Sequence, residues 1–195
     1  MEQADKSLLG LAGLAEDENT FAPIFKTVRS RAIWLGANLG TAFLASAVIN
    51  IFEDTIEKVV ALAILMPIVA SMGGVAGSQT LTLAIRSEAL GQLVDSNQIW
   101  LIKRELAVGA INGFVWAAIV AAAATIVFDD MLLGGIIASA LIINLLIAAL
   151  AGAVLPGVLK SIGADPAISG SVVLTTITDV VGFMSFLGLA SFFYA

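Results

Sequence analysis

Residues 59–85 of this 195-residue chain read VVALAILMPIVASMGGVAGSQTLTLAI and carry no charged side chain. Apolar runs of about 18 residues or more can cross the hydrocarbon of a bilayer as a helix. A helix is one of only two ways in which a backbone can satisfy its own polar groups in lipid. Similar uncharged runs cover residues 32–52, residues 106–128 of a segment that starts near Trp100, and residues 131–159. A last run from Pro166 to the C-terminus is broken only by Asp179. Five transmembrane helices are therefore predicted, in an all-α polytopic membrane protein. Charged residues make up 12% of the chain, against about 25% in soluble domains.

The loops set an orientation. Lys and Arg collect on the cytoplasmic side of membrane proteins. With the N-terminus inside, Lys6, Lys26, Arg29, Arg31, Arg86, Lys103, Arg104 and Lys160 all lie inside, and Lys58 alone lies outside. An odd number of spans then puts the C-terminus outside. The outer loops, residues 53–58 and 129–130, are mostly acidic. Such a mouth would concentrate cations, although ordinary solvated loops have the same composition.

Several chemistries are ruled out by residue type. The chain has no Cys and no His. Disulfides, thiolate or imidazole zinc sites and Ser-His or Cys-His catalytic pairs are excluded, and an enzyme is not expected. Any metal must be held by oxygen, which suits hard cations such as Mg2+. A net charge of −6 gives no basic footprint for nucleic acid. Residues 1–30 show no basic region followed by an apolar core, so the first span is expected to direct insertion. Residues 19–31 read as a surface or interfacial helix feeding that span, with Thr20 as cap and Pro23 in the first turn.

Most small and polar residues inside the spans have a packing explanation. Gly36 and Gly40, Gly73 and Gly77, and Gly109 and Gly113 each make a GxxxG spacing that lets helices approach closely. Asn38, Asn50, Asn112 and Asn144 can hydrogen-bond across helices. Asp179 differs. It sits near the middle of the fifth span, where a carboxylate costs roughly 2.5–3.5 kcal/mol on insertion scales, and no Lys or Arg shares that depth. It is protonated, solvated in a wet cavity, or paired with a mobile cation. Ser171, Thr175 and Asp179 recur at i, i+4 and form one stripe, which favours a wet path. In the second span Gly74, Ser78 and Thr82 form another such stripe. Pro67 would bend that helix, and Gly73 and Gly77 would let carbonyls face a cavity. Two polar stripes call for a hydrophilic interface, and a symmetric dimer could bring two copies of Asp179 around one axis.

MPIVASMGGVAGSQTLTLAIR, Met66 to Arg86, resembles the second transmembrane segment of the MgtE magnesium-channel family, with its Pro, GGNAG-type turn and Gln-Ser/Thr. LTTITDVVGFMSFLGLA, Leu174 to Ala190, resembles the fifth. IKRELAVGAINGF and GADPAISG also match family segments, so the resemblance covers about residues 25–195. It implies a homodimeric Mg2+ channel in a bacterial inner membrane, with a pore at the dimer axis lined by the second and fifth helices. By the same resemblance Asp179 holds hydrated Mg2+. Backbone carbonyls contribute at Gly74 and Thr175, and Ser78, Thr82 and Ser171 are polar pore positions. Glu105 and Asp165 would hold further Mg2+ on the cytoplasmic side. The sequence departs from the family at Val75, where Asn is usual, at Ser78 and Ser171, which replace frequent Asn or Thr, and in lacking a Pro after Ser171.

Family members usually carry an acidic helical N domain and two CBS domains ahead of the membrane part. Residues 1–18 are similar to the end of the second CBS domain, and residues 19–31 to the connecting, plug-type helix that leads into a pore domain at 32–195. The chain is thus expected to be a shortened form of a longer protein, with Met1 added. The nearest rival function is a Na+- or H+-coupled exchanger of Mg2+.

Overall fold

The computed structural model describes residues 21, 23–94 and 96–194. Residues 1–20, with the expected CBS remnant and the start of the connecting helix, lie outside the described residues. The described elements are all helical: α1 (Ile24–Ile51), α2 (Glu53–Lys58), α3 (Ala61–Ala89), α4 (Gln98–Phe128), α5 (Met131–Ser161) and α6 (Pro166–Phe193). Five of them are long and apolar enough to cross a membrane, matching the five predicted spans. Two details differ from the sequence reading. α1 is unbroken from Ile24, so Lys26, Arg29 and Arg31 ride on the same helix as the first span. The acidic segment expected as an outer loop forms a short helix of its own, α2.

The ends are set by local chemistry. Asp130 caps α5, its Oδ1 accepting from Leu133 N at 3.0 Å. Asp165 caps α6, accepting from Ala167 N at 2.8 Å ahead of Pro166. α3 and α5 both stop in a left-handed glycine. After α3, Gly91 (φ 67°) and Gln92 return hydrogen bonds to the carbonyls of Glu88 and Ser87. After α5, Gly163 (φ 77°) and Ala164 do the same to Lys160 and Leu159. This pattern satisfies carbonyls that the helix end would leave bare.

α5 is the mast of the bundle. Of its most apolar window 56% is buried, against 11–28% for the other four spans. α3, α4 and α6 pack around it, while α1 leans on α6. Close approach depends on missing side chains. A Cβ on Gly152 would stand 2.7 Å from the Gly77 carbonyl oxygen, and one on Gly109 would stand 2.9 Å from the Ala149 Cβ. Gly73, Gly77, Gly109 and Gly113 are buried against neighbouring helices, as GxxxG packing requires. Gly36 and Gly40 on α1 face open space instead. Among the asparagines Asn144 alone makes a described bond to another helix; Asn112 bonds to Val108 on its own.

At one end of the bundle Lys160 of α5 pairs with Glu88 of α3. At the other, the Tyr194 hydroxyl donates to Asp130 Oδ2. The bond to Tyr194, then that from Leu133 N, holds the Asp130 carboxyl below the usual carboxylate range. Burial, then Asp130, pushes the Tyr194 phenol up. A depressed acid stabilises the fold above its unfolded pKa and stops doing so as pH falls through the folded value; a raised phenol stabilises below its unfolded pKa, and the effect is lost at high pH. Tyr194→Phe is therefore expected to cost about 1 kcal/mol at pH 7. The difference from the parent chain should shrink when thermal unfolding is repeated near pH 3. A gap that widens in acid would show that the bond does not act this way.

Candidate functional site

α3 and α6 touch through their small faces. The Leu174 side chain lies over Gly77, and Leu81 lies over Gly170. Beside this seam the two helices border an open groove of about 840 Å³. α3 contributes Gly74, Ser78 and Thr82 to it, and α6 contributes Thr175 and Asp179. The two polar stripes read from the sequence thus meet in one cavity. Ser71, Gln79, Val75 and Arg86 line it as well.

Asp179 is 13 residues from the first and 14 from the last residue of α6, by subtraction from the helix limits. At about 1.5 Å per residue that is roughly 20 Å from each end. The side chain is half-buried, and among the described residues it has neither a hydrogen bond nor an ion pair. Thr175, one turn away, donates its hydroxyl proton to the carbonyls of Ser171 (3.0 Å) and Val172 (3.1 Å). The lone pairs of that hydroxyl remain as acceptors. The Thr175 carbonyl accepts from the Thr178 hydroxyl at 3.1 Å in addition to its place in the helix.

Other sequence expectations fall elsewhere. Ser171 belongs to the stripe but does not line the groove; its carbonyl anchors Thr175. Gly73 and Gly77, expected to open backbone carbonyls to a cavity, present their Cβ positions to neighbouring helices. A Cβ on Gly73 would meet the Asn144 side chain at 2.3 Å, and one on Gly77 would meet Leu174 at 2.9 Å. The adjacent Gly74 is the glycine that faces the groove, with nothing within 4 Å of its Cβ position. Pro67 is embedded in a helix that stays α-helical on both sides and lies outside the groove lining.

Glu105 is buried between α3 and α4, at 5% exposure. Thr80 donates to its Oε2 at 3.0 Å, and Arg104 pairs with Oε1. The oxygens expected to hold a cytoplasmic-side cation are thus already engaged within the chain, and Asp165 spends one of its own on the cap of α6. Among the described residues no cluster of three or more acidic side chains forms a ready-made metal site. Ser71 and Arg86 line the groove without having been assigned to it from the sequence, where Arg86 counted only as a loop charge. The signal was present: Arg86 continues the Gly74, Ser78, Thr82 series by one further step of four.

The sequence profile of the MgtE family, described as a divalent cation transporter, matches residues 66–189. The chain is 29% identical over 193 residues to the magnesium transporter MgtE of Bacillus subtilis (strain 168), covering 99% of this chain and 43% of that protein. It is 27% identical over 192 residues to the magnesium transporter MgtE of Enterococcus faecalis, covering 98% and 42%. Against the magnesium transporter MgtE of Thermus thermophilus identity is 30% over 162 residues, covering 83% and 36%. The chain spans about two fifths of the length of these relatives.

Proposed function

The chain belongs to the MgtE family of divalent cation transporters, and from that premise we propose that it conducts Mg2+ inward, with Asp179 as the central cation site. The observation that carries this reading is an unpaired mid-helix carboxylate in a groove where the hydroxyl one turn away on the same helix, that of Thr175, has its proton turned into the helix. Mg2+ gives up its water reluctantly. A hydrated Mg2+ presents only O–H donors to its surroundings, so its wall must offer acceptors. Asp179 and Thr175 do so, with the hydroxyls of Ser78 and Thr82 and the Gln79 amide oxygen on the facing helix. Val75, where the family pattern that the sequence resembles has Asn, leaves one position of that wall apolar.

One chain supplies one wall. A second copy related by a twofold axis would close the groove and bring two Asp179 carboxylates together. We place the N-terminus in the cytoplasm of a bacterial inner membrane, on the asymmetry of Lys and Arg. No fuel beyond the membrane potential is needed. A divalent ion crossing 100 mV gains about 2 × 2.3 kcal/mol, equivalent to a gradient of roughly three orders of magnitude. Closure by cytosolic Mg2+ is assigned to the sensor domains that the family resemblance implies, so flux through this chain alone should stay open at high internal Mg2+.

The test is Mg2+ entry into proteoliposomes under an inside-negative K+ diffusion potential. Influx that follows voltage supports the channel. Influx that requires a Na+ or pH gradient instead would assign the chain to the coupled exchangers. A second expectation concerns Arg86, a cation at the inner end of a cation path, which should thin the local cation population. Arg86→Gln is expected to raise flux severalfold, because a change of about one kT in local potential alters a divalent concentration about sevenfold. Unchanged flux in Arg86→Gln would remove its guanidinium from the path.

A further inference from the structure

Behind the groove, α3, α5 and α6 meet at one side chain. Asn144 of α5 is fully buried, and its Nδ2 donates to the Val69 carbonyl of α3 at 2.9 Å. Its Oδ1 has no hydrogen-bond partner among the described residues. Two glycines clear the space around it. A Cβ on Gly73 of α3 would stand 2.3 Å from Nδ2, and a Cβ on Gly182 of α6 would stand 2.7 Å from the same atom. Both flanking helices are thus stripped to backbone where they meet this amide.

Stability alone does not explain the choice. A buried amide with an unpaired acceptor is destabilising beside an apolar side chain of similar size. What the amide adds is direction. Between membrane helices there is no hydrophobic drive, so small residues and interhelical hydrogen bonds set which faces meet and at what height. The Asn144 to Val69 bond fixes α3 against α5. The amide body, held in the notch of Gly73 and Gly182, fixes the interval between α3 and α6. Both glycines are close in sequence to the groove: Gly74 follows Gly73, and Asp179 lies three residues before Gly182.

We propose that Asn144 is a positioning residue that sets the separation of α3 and α6 and so decides which hydrated cations pass Asp179. The assignment rests on the reading of the groove as the cation path. Asn144 reaches no ion itself. It holds the spacing of α3 and α6 within the wall that each chain supplies, and so the placement of the acceptors that a hydrated divalent ion senses, where Mg2+ and Ca2+ differ in size and in their grip on water.

The test uses Asn144→Ala, Gly73→Ala and the double variant in the full chain. Thermal unfolding is read beside the ratio of Mg2+ to Ca2+ influx at a fixed K+ potential. Because the chain has no cysteine, Thr175→Cys in each background also reports groove access, through its rate of modification by a water-soluble methanethiosulfonate. Gly73→Ala alone should unfold early, and the double variant should recover, since the new methyl enters space the amide has left. Asn144→Ala and the double variant should shift the ion ratio by about threefold or more, within the range for substitutions that act on a site they do not touch. They should also change the modification rate. A stable double variant with the parent's ion ratio and the parent's modification rate would overturn the proposal. If the unsubstituted chain passes no Mg2+ under voltage, the channel reading fails by itself. The modification rates then decide the positioning role: altered in Asn144→Ala or the double variant they uphold it, unaltered they overturn it.

Discussion

Asp179→Asn is expected to reduce voltage-driven Mg2+ influx by at least about tenfold while leaving the protein folded. The substitution keeps the shape of the side chain and removes its charge. A divalent ion about 5 Å from one carboxylate is attracted by roughly 7 kcal/mol at an effective dielectric constant of 20. Desolvation and screening take back part of this, but a residual loss of only about 1.4 kcal/mol at the barrier is already tenfold in rate. Asp179 has no described partner, so its loss orphans no buried group and should not destabilise the bundle. Unfolding temperatures of Asp179→Asn and parent should therefore agree. Equal flux in the two would remove Asp179 from the mechanism.

The largest effect on folding is expected at a position with no part in the groove. Gly152 of α5 lies against α3 so closely that a Cβ would be 2.7 Å from the Gly77 carbonyl oxygen and 3.0 Å from the Leu81 amide nitrogen. These are backbone atoms of a helix and cannot step aside singly. Gly152→Ala should cost about 1–3 kcal/mol, the usual toll of overpacking, and Gly152→Leu should exceed that range. Gly135 on the same helix is the control, because nothing lies within 4 Å of its Cβ position. Gly135→Ala should unfold with the parent or slightly above it, given the better helix propensity of Ala. Thermal unfolding in detergent reads both. Equal losses at Gly152 and Gly135 would mean that the α3–α5 contact is not the tight one described.

The five spans were legible because lipid demands long uncharged runs, and the chain supplies them with few interruptions. The stripes of Gly74, Ser78, Thr82 and of Thr175, Asp179 were legible because a helix returns to the same face every three to four residues. Which of two adjacent glycines faces the groove was not. Gly73 and Gly74 point about 100° apart, and only the position of Asn144, more than 70 residues away in sequence, decides that Gly73 turns inward. Ser171 shares the stripe of Asp179 but lies beyond the groove lining, because periodicity gives a face and not a height. The resemblance marks Glu105 as a possible Mg2+ residue but does not show its partners, which are Thr80 on another helix and its own neighbour Arg104. The link between Tyr194 and Asp130, 64 residues apart, had no local signature.

The docking of α1 on α6 has a consequence for synthesis. Among the described residues of α1, Ala45 and Val48, near its end, are the buried ones, and the element it leans on is the last of the five spans in chain order. From Ile51 to Phe193 the ribosome must add 142 residues, by subtraction of the helix limits. At 5–20 residues per second that takes roughly 7–28 s. For that interval α1 has to persist in the bilayer as a solitary helix, although its best window is the least apolar of the five, at 1.6 against 2.4 for α5. α5, by contrast, emerges when α3 and α4 are already inserted to receive it. The span with the least apolar window is thus the one that waits longest for its neighbour.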